Sequence, residues 1–125
     1  MQFNNSQLKA VKHKTGPMLV IAGPGSGKTT VLTARIRNLI EEYSVNPANI
    51  LVITFTKAAA NEMKSRFNNM MGRSTNVTFG TFHAVFFMIL MAAYNYSVDS
   101  IIKEDVRQNI IKQAIERSRL EPDDL

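Results

Sequence analysis

Apolar residues change their period several times along the chain, and each change predicts an element. Met18-Leu19-Val20-Ile21-Ala22 is a continuous apolar run between Gly16-Pro17 and a glycine cluster, which predicts a buried strand. From Lys28 to about Glu42, Leu32, Ile36, Leu39 and Ile40 recur on one helical face. Ile50-Leu51-Val52-Ile53 predicts a second buried strand, introduced by the turn pair Asn46-Pro47. A helix is expected from about Ala58 to Met70, with Ala59, Met63, Phe67 and Met70 in one stripe and Gly72 as its stop. Val77-Thr78-Phe79-Gly80 predicts a short third strand. Phe82 to Tyr94 predicts a helix apolar on every face, as a central helix would be. Strand then helix, three times over, is the pattern of a parallel sheet covered by helices, so the fold class is α/β.

A seam is expected near residues 95–100, where the polar stretch Asn95-Tyr96-Ser97 meets a change of charge. Beyond it, Val106, Ile110, Ala114 and Ile115 predict another amphipathic helix, ending before Glu121-Pro122-Asp123-Asp124. Residues 1–96 carry ten basic and three acidic side chains, a net of +7. Residues 97–125 carry five basic and seven acidic, a net of −2, which together make the chain's +5. A basic body suits a polyanion such as nucleotide or nucleic acid, although a simple lysine and arginine surplus would look the same. Lys103, Arg107, Lys112, Arg117 and Arg119 alternate with acids and read as a solvated helix face.

Composition narrows the class. The 125 residues are room for one domain, and 45% apolar content is enough to build a core. Without cysteine there is no disulfide scaffold and no thiolate zinc site, and two histidines with no partner motif argue against a metal centre. The polar start, Met1-Gln2-Phe3-Asn4-Asn5-Ser6-Gln7, is unlike a signal peptide. The longest apolar run, Ala84 to Ala93, is about half of the ~20 residues a bilayer span needs. A cytoplasmic protein without membrane contact is expected. Three strands make a small sheet for this class, so the chain reads as part of a larger domain.

One motif carries chemistry at once. Ala22-Gly23-Pro24-Gly25-Ser26-Gly27-Lys28-Thr29 fits A/G-x-x-x-x-G-K-S/T, with the required strand before it and the required helix after it. Its glycines allow several N–H groups to converge on phosphate, and the helix brings the positive end of its dipole to the same anion. Lys28 would reach the β- and γ-phosphates of ATP, and the Thr29 hydroxyl would ligate Mg²⁺. A glycine-rich turn with no ligand is the structural alternative, which the flanking elements disfavour.

Four blocks together resemble the superfamily 1 DNA helicases of the UvrD/Rep type. Phe3-Asn4-Asn5-Ser6-Gln7-Leu8-Lys9-Ala10-Val11 resembles their glutamine motif, and Ala22 to Thr29 their phosphate loop. Ile53-Thr54-Phe55-Thr56-Lys57-Ala58-Ala59-Ala60-Asn61-Glu62-Met63 is similar to motif Ia, and Thr78-Phe79-Gly80-Thr81-Phe82-His83-Ala84 to motif Ib. The resemblance implies a RecA-like ATP-binding motor: residues 1–96 as the first part of domain 1A, and 97–125 as the start of helical domain 1B. It implies ATP and Mg²⁺ as cofactors, with single-stranded DNA and the remainder of a helicase chain as partners. It also assigns Gln7 to adenine, whose N6 and N7 a single amide can bind together. Taken alone, Gln7 would read as a polar residue at the start of a helix.

The same resemblance makes Thr54, Phe55, Thr56, Lys57, Thr81 and His83 DNA contacts. An aromatic at a strand's carboxyl end can stack on a base, while hydroxyls and a helix N-terminus hold phosphate. Phe55 as a core residue, and His83 as a structural one, are the alternatives. Two departures stand out. Lys57-Ala58 occupies the place where many members have Asn-Lys, moving the cation by one position, and Thr30 stands where Arg is frequent. No apolar strand ending in Asp-Glu occurs, and Lys103-Glu104-Asp105 is the nearest acidic pair. The parent is therefore expected to be an ATP-dependent helicase while this stretch alone is inactive in turnover. A small phosphate-loop kinase or a non-catalytic nucleotide- or nucleic-acid-binding module remain as alternatives.

Overall fold

The amino-terminal stretch, which periodicity left without an element, forms a helix. In the computed structural model, which describes residues 2–118, α1 spans Asn5–Lys12. It starts on a capping box in which Asn4 and Gln7 each accept, through the side chain, the other's backbone N–H. Ala10 and Val11 of α1 bury against Val31 of α2 (Lys28–Glu41), with Phe3 and Ala34 at the margin. Arg35 donates to the Ala10 carbonyl and the Tyr43 hydroxyl to the Lys12 carbonyl, both at 2.8 Å. Two carbonyls at the end of α1, which no helical N–H can reach, are thereby satisfied.

A 3₁₀ turn at Pro47–Asn49 leads into strand β1 (Leu51–Thr54), and helix α3 (Lys57–Met71) leads on to strand β2 (Thr78–Thr81). The strands are parallel, with Leu51 opposite Thr78 and Thr54 opposite Thr81. Parallel neighbours need a crossover between them, and α3 is that crossover. It packs on both strands and on α2. Thr56 caps its start by accepting the Ala59 N–H at 3.2 Å, and Gly72 ends it. The core between these layers is Ile36, Ile50, Phe67 and Val77, flanked by Leu39, Ile40, Val52 and Phe79. Phe67 is wholly enclosed, its ring centred 5.9 Å from that of Phe79.

Several expectations need correcting. Met18–Ala22 is not a strand: the sheet among the described residues has two strands, not three. Strand geometry is stabilised by ladder hydrogen bonds, and this segment has no neighbour that supplies them, so Leu19 and Ile21 stand 85% and 91% exposed. Leu32, expected on the buried face of α2, faces outward, and Val31 and Thr33 are buried with Ile36 instead. In α3 the buried stripe is Ala60, Met63 and Phe67, because α3 turns that face to β1, β2 and α2. Ala59 and Met70 lie outside it.

By backbone proximity the chain divides into two units, Met1–Phe86 and Phe87–Leu125, with the division inside helix α4 (Phe82–Ala93). Val85 is the buried residue of α4, and Phe86, Met88, Ile89, Leu90 and Met91 are exposed. The expected central helix is therefore not buried here, since a helix apolar all round is enclosed only where other layers cover every face. The second unit continues through a 3₁₀ turn at Val98–Ser100 to helix α5 (Glu104–Ser118), none of whose residues is buried. Arg119 and the expected stop at Glu121-Pro122-Asp123-Asp124 lie outside the described residues. No single helix among the described residues is both long and apolar enough to cross a membrane.

Candidate nucleotide-binding site

The loop from Ala22 to Gly27 turns back on itself through a few backbone contacts. Gly23 offers its carbonyl to the Ser26 N–H at 3.4 Å, the Ser26 hydroxyl at 2.7 Å and the Lys28 ammonium at 2.7 Å. Lys28 Nζ also donates to the Ala22 carbonyl at 3.3 Å. Pro24 and Gly25 form the turn, and Gly25 and Gly27 sit at φ of 72° and 80°. Those angles are strained for any residue with a Cβ, so both glycines are needed for backbone shape. Space is a lesser matter at Gly27, where an added Cβ would meet Gln7 Nε2 at an ordinary 3.6 Å.

Gly27 is also the N-cap of α2, and no side chain caps that helix. Its first helical bond runs from the Val31 N–H to the Gly27 carbonyl at 2.9 Å, so the N–H groups of Lys28, Thr29 and Thr30 precede it. Thr29 and Thr30 are half-buried in that first turn, and their carbonyls accept from the Thr33 hydroxyl at 3.0 and 3.1 Å. The outcome is an uncapped helix start, a cationic side chain and a glycine turn gathered at one place. This is a donor set that fits a phosphate group.

Gln7 joins this set across nineteen positions of sequence, its Nε2 donating to the Ser26 carbonyl at 3.1 Å. Two clefts border α2, and chemistry rather than size separates them. The larger, about 660 Å³, touches the motif only at Thr29 and Thr30 and is otherwise lined by groups such as Arg37, Glu41 and Arg66. The smaller, about 460 Å³, takes in Gln7, Gly23, Ser26 and Lys28.

The second candidate set gathers at the carboxyl ends of the two strands. Thr54 and Thr81 are cross-strand partners, so the ends of the two sequence blocks lie side by side. Phe55, the first residue past β1, is 91% exposed, with its ring 5.8 Å from that of Phe82. Phe55 is thus outside the core formed by the described residues. The Thr54 hydroxyl donates to the Thr56 carbonyl at 2.9 Å, and the Thr81 hydroxyl accepts the Ala84 N–H at 3.3 Å. Lys57 opens α3 and His83 lies in the first turn of α4, both exposed.

A family model described as the UvrD/REP helicase N-terminal domain matches residues 3–124. The chain belongs to the UvrD/Rep helicase family. It is 40% identical over 130 residues to the ATP-dependent DNA helicase PcrA of Staphylococcus epidermidis, covering 96% of this chain and 18% of that protein. With PcrA of Staphylococcus aureus the identity is 48% over 89 residues, 70% of this chain and 12% of the relative. YjcD of Bacillus subtilis is 42% identical over 120 residues, 90% of this chain and 16% of its own. The chain thus spans less than a fifth of the length of these relatives. A mixed helix-and-strand unit with a two-stranded parallel sheet is compatible with an incomplete α/β helicase domain.

Within this helicase-family chain, two structural residues escaped the sequence reading. Asn4 positions Gln7, and the Asn-x-x-Gln spacing of a capping box could have disclosed it. Arg35 ties α2 to α1 over a separation of twenty-five positions, for which no local signal exists. For Mg²⁺ the donor set is thin. Thr29 supplies one hydroxyl, and no group of three His, Cys, Asp or Glu gathers among the described residues. Glu104, from the acidic pair singled out in the sequence, is engaged within its own helix, accepting from Gln108 at 2.8 Å and Arg107 at 2.9 Å. Those two partners, Gln108 first, hold its carboxyl below the usual carboxylate value.

Proposed function

We propose that the chain is the ATP-binding amino-terminal segment of an ATP-dependent DNA helicase or translocase, built on a RecA-like phosphate-loop fold. Residues 1–96 would be the first part of motor domain 1A and 97–125 the start of domain 1B. In this reading the Ala22–Thr30 segment holds the triphosphate, with Lys28 on the β- and γ-phosphates and Gln7 on the adenine. Thr29 would contribute a hydroxyl to Mg²⁺, which when bound neutralises phosphate charge. The uncapped α2 start and the Lys28 ammonium beside it support this assignment. Movement would run 3′ to 5′ on single-stranded DNA, in repair or recombination, in the cytoplasm.

The observation that carries the reading is the paired strand end. Thr54 and Thr81 stand in register, with Phe55 outside the core beside them. An exposed aromatic there gives an unpaired base a face to stack on. Thr54, Thr56, Lys57, Thr81 and His83 would hold phosphates around that base. Turnover by this chain alone is not expected, because phosphoryl transfer also needs a positioned water and further charge on the transferring group. The Lys103-Glu104-Asp105 stretch opens helix α5 with no apolar strand before it, unlike an acidic pair at a strand end.

Phe55→Ala tests the DNA face. It should weaken single-stranded DNA binding by about 1–3 kcal/mol, the usual worth of one stacked base. Because the ring is 91% exposed, stability should change little. Fluorescence anisotropy with a labelled oligonucleotide, run beside a thermal melt, reads both quantities. Unchanged DNA affinity in a folded variant would remove Phe55 from the interface.

A further inference from the structure

Two phenylalanines stand where the sheet ends. Phe55 is the first residue past β1 and Phe82 the first past β2. Thr54 and Thr81 are cross-strand partners, so the register sets the next residue of each strand side by side. The two rings meet there, with centroids 5.8 Å apart and planes tilted by 50°. That is an attractive geometry for an aromatic pair, which favours edge-to-face and offset contacts. It leaves no room for a base between the rings, so a base would use the far face of Phe55.

The two rings differ in how firmly they are held. Phe55 is 91% exposed and Phe82 44% exposed. Phe82 opens α4, whose start is fixed twice. The Thr81 hydroxyl caps it by accepting the Ala84 N–H at 3.3 Å. Val85 is buried one turn on, against Gly80, where an added Cβ would come within 3.2 Å of Val85 Cγ2. The backbone around Phe55 is fixed as well, because the Thr54 hydroxyl reaches over it to the Thr56 carbonyl at 2.9 Å. The Phe55 side chain has no enclosing wall, and such a side chain samples three staggered χ1 wells unless a neighbour selects one. Phe82 is an aromatic neighbour in contact with it. We infer that Phe82 is a positioning residue for nucleic-acid binding: its ring selects the Phe55 rotamer that offers a free face to a base. This rests on the proposed reading of Phe55 as the stacking residue. Phe82 acts through Phe55 and not by its own contact with nucleic acid.

Fluorescence anisotropy with a labelled single-stranded oligonucleotide, on the full 125-residue chain, measures the effect. If all three wells became equally open to Phe55, about a third of the chains would be ready to bind, and affinity would fall about threefold. Phe82→Ala should therefore weaken binding by about threefold, while Phe82→Tyr, which keeps the ring, should bind like the parent. In a Phe55→Ala background, Phe82→Ala should cost nothing more, because no ring is left to orient. A residue that merely supported the fold would lower affinity in both backgrounds. A second measurement needs no DNA. In the unsubstituted chain, the Hα–Hβ couplings of Phe55 should report one χ1 rotamer, with a nuclear Overhauser contact between the two rings. In Phe82→Ala those couplings should average.

Unchanged DNA affinity in Phe55→Ala would overturn the stacking reading, and the positioning role with it. A loss in Phe55→Ala beside none in Phe82→Ala would overturn the positioning role alone. So would an equal loss from Phe82→Ala in both backgrounds. Should Phe82→Ala fail to fold, the parent's couplings decide. A single rotamer with ring-to-ring contact would uphold the inference, and averaged couplings without that contact would contradict it.

Discussion

Lys28→Ala should lower affinity for ATP and ADP by about tenfold to a hundredfold and leave the fold intact. The lower bound is one charge-assisted hydrogen bond to phosphate, and the upper bound is two or one strong one. The fold should survive because Lys28 Nζ is exposed and its bonds go only to the carbonyls of Ala22 and Gly23. Both carbonyls can turn to water when the ammonium is removed. Titration calorimetry measures the affinity loss, and a thermal melt of the same sample checks the fold. Equal affinity in parent and variant would mean that the loop is a connector between elements and nothing more.

Phe67→Ala should have the largest effect on stability, about 3–5 kcal/mol. Phe67 is the one large side chain wholly enclosed among the described residues, and it touches the core from the middle of α3. Removing its ring leaves Ile36, Ile50, Val77 and Phe79 around a cavity that the short strands cannot close. A loss of that size is a large share of the ~5–15 kcal/mol that stabilises a typical domain. Urea unfolding should show the midpoint moving sharply down. The contrast with Phe55→Ala is the useful control: two phenylalanines, one just before α3 and one within it, the second setting stability and the first leaving it nearly untouched.

What was legible in the sequence is what local signals determine. The bounds of α2 and α3 follow from the glycine before one and the glycine after the other, and β1 and β2 from short β-branched runs beside turns. Met18–Ala22 shows the limit. Apolarity says that the segment favours a covered position, but a ladder needs a partner strand, and pairing is not a local property. The α4 sequence fails in the same way, since its composition describes a helix that other layers enclose, without supplying those layers.

At the candidate site the glycine-rich turn was readable from spacing alone, because Gly25 and Gly27 hold backbone angles at positive φ. Phe55 was ambiguous until β1 was seen to stop at Thr54, which leaves the ring one step beyond the sheet. The approach of Gln7 to Ser26 depends on the packing of α1 on α2, where Val31 meets Ala10 and Val11. Only the tertiary structure reports that contact.

The central claim is that the Ala22–Thr30 segment holds nucleotide phosphate, and amide chemical shifts test it most directly. In a titration of ¹⁵N-labelled chain with ATP, the N–H signals of Gly25, Gly27, Lys28, Thr29 and Thr30 should move most, with the Gln7 side-chain amide moving alongside. Signals from β1 and the far end of α3 should stay nearly still. Shifts confined to other surfaces, or a loop that stays silent while ATP binds elsewhere, would contradict the account.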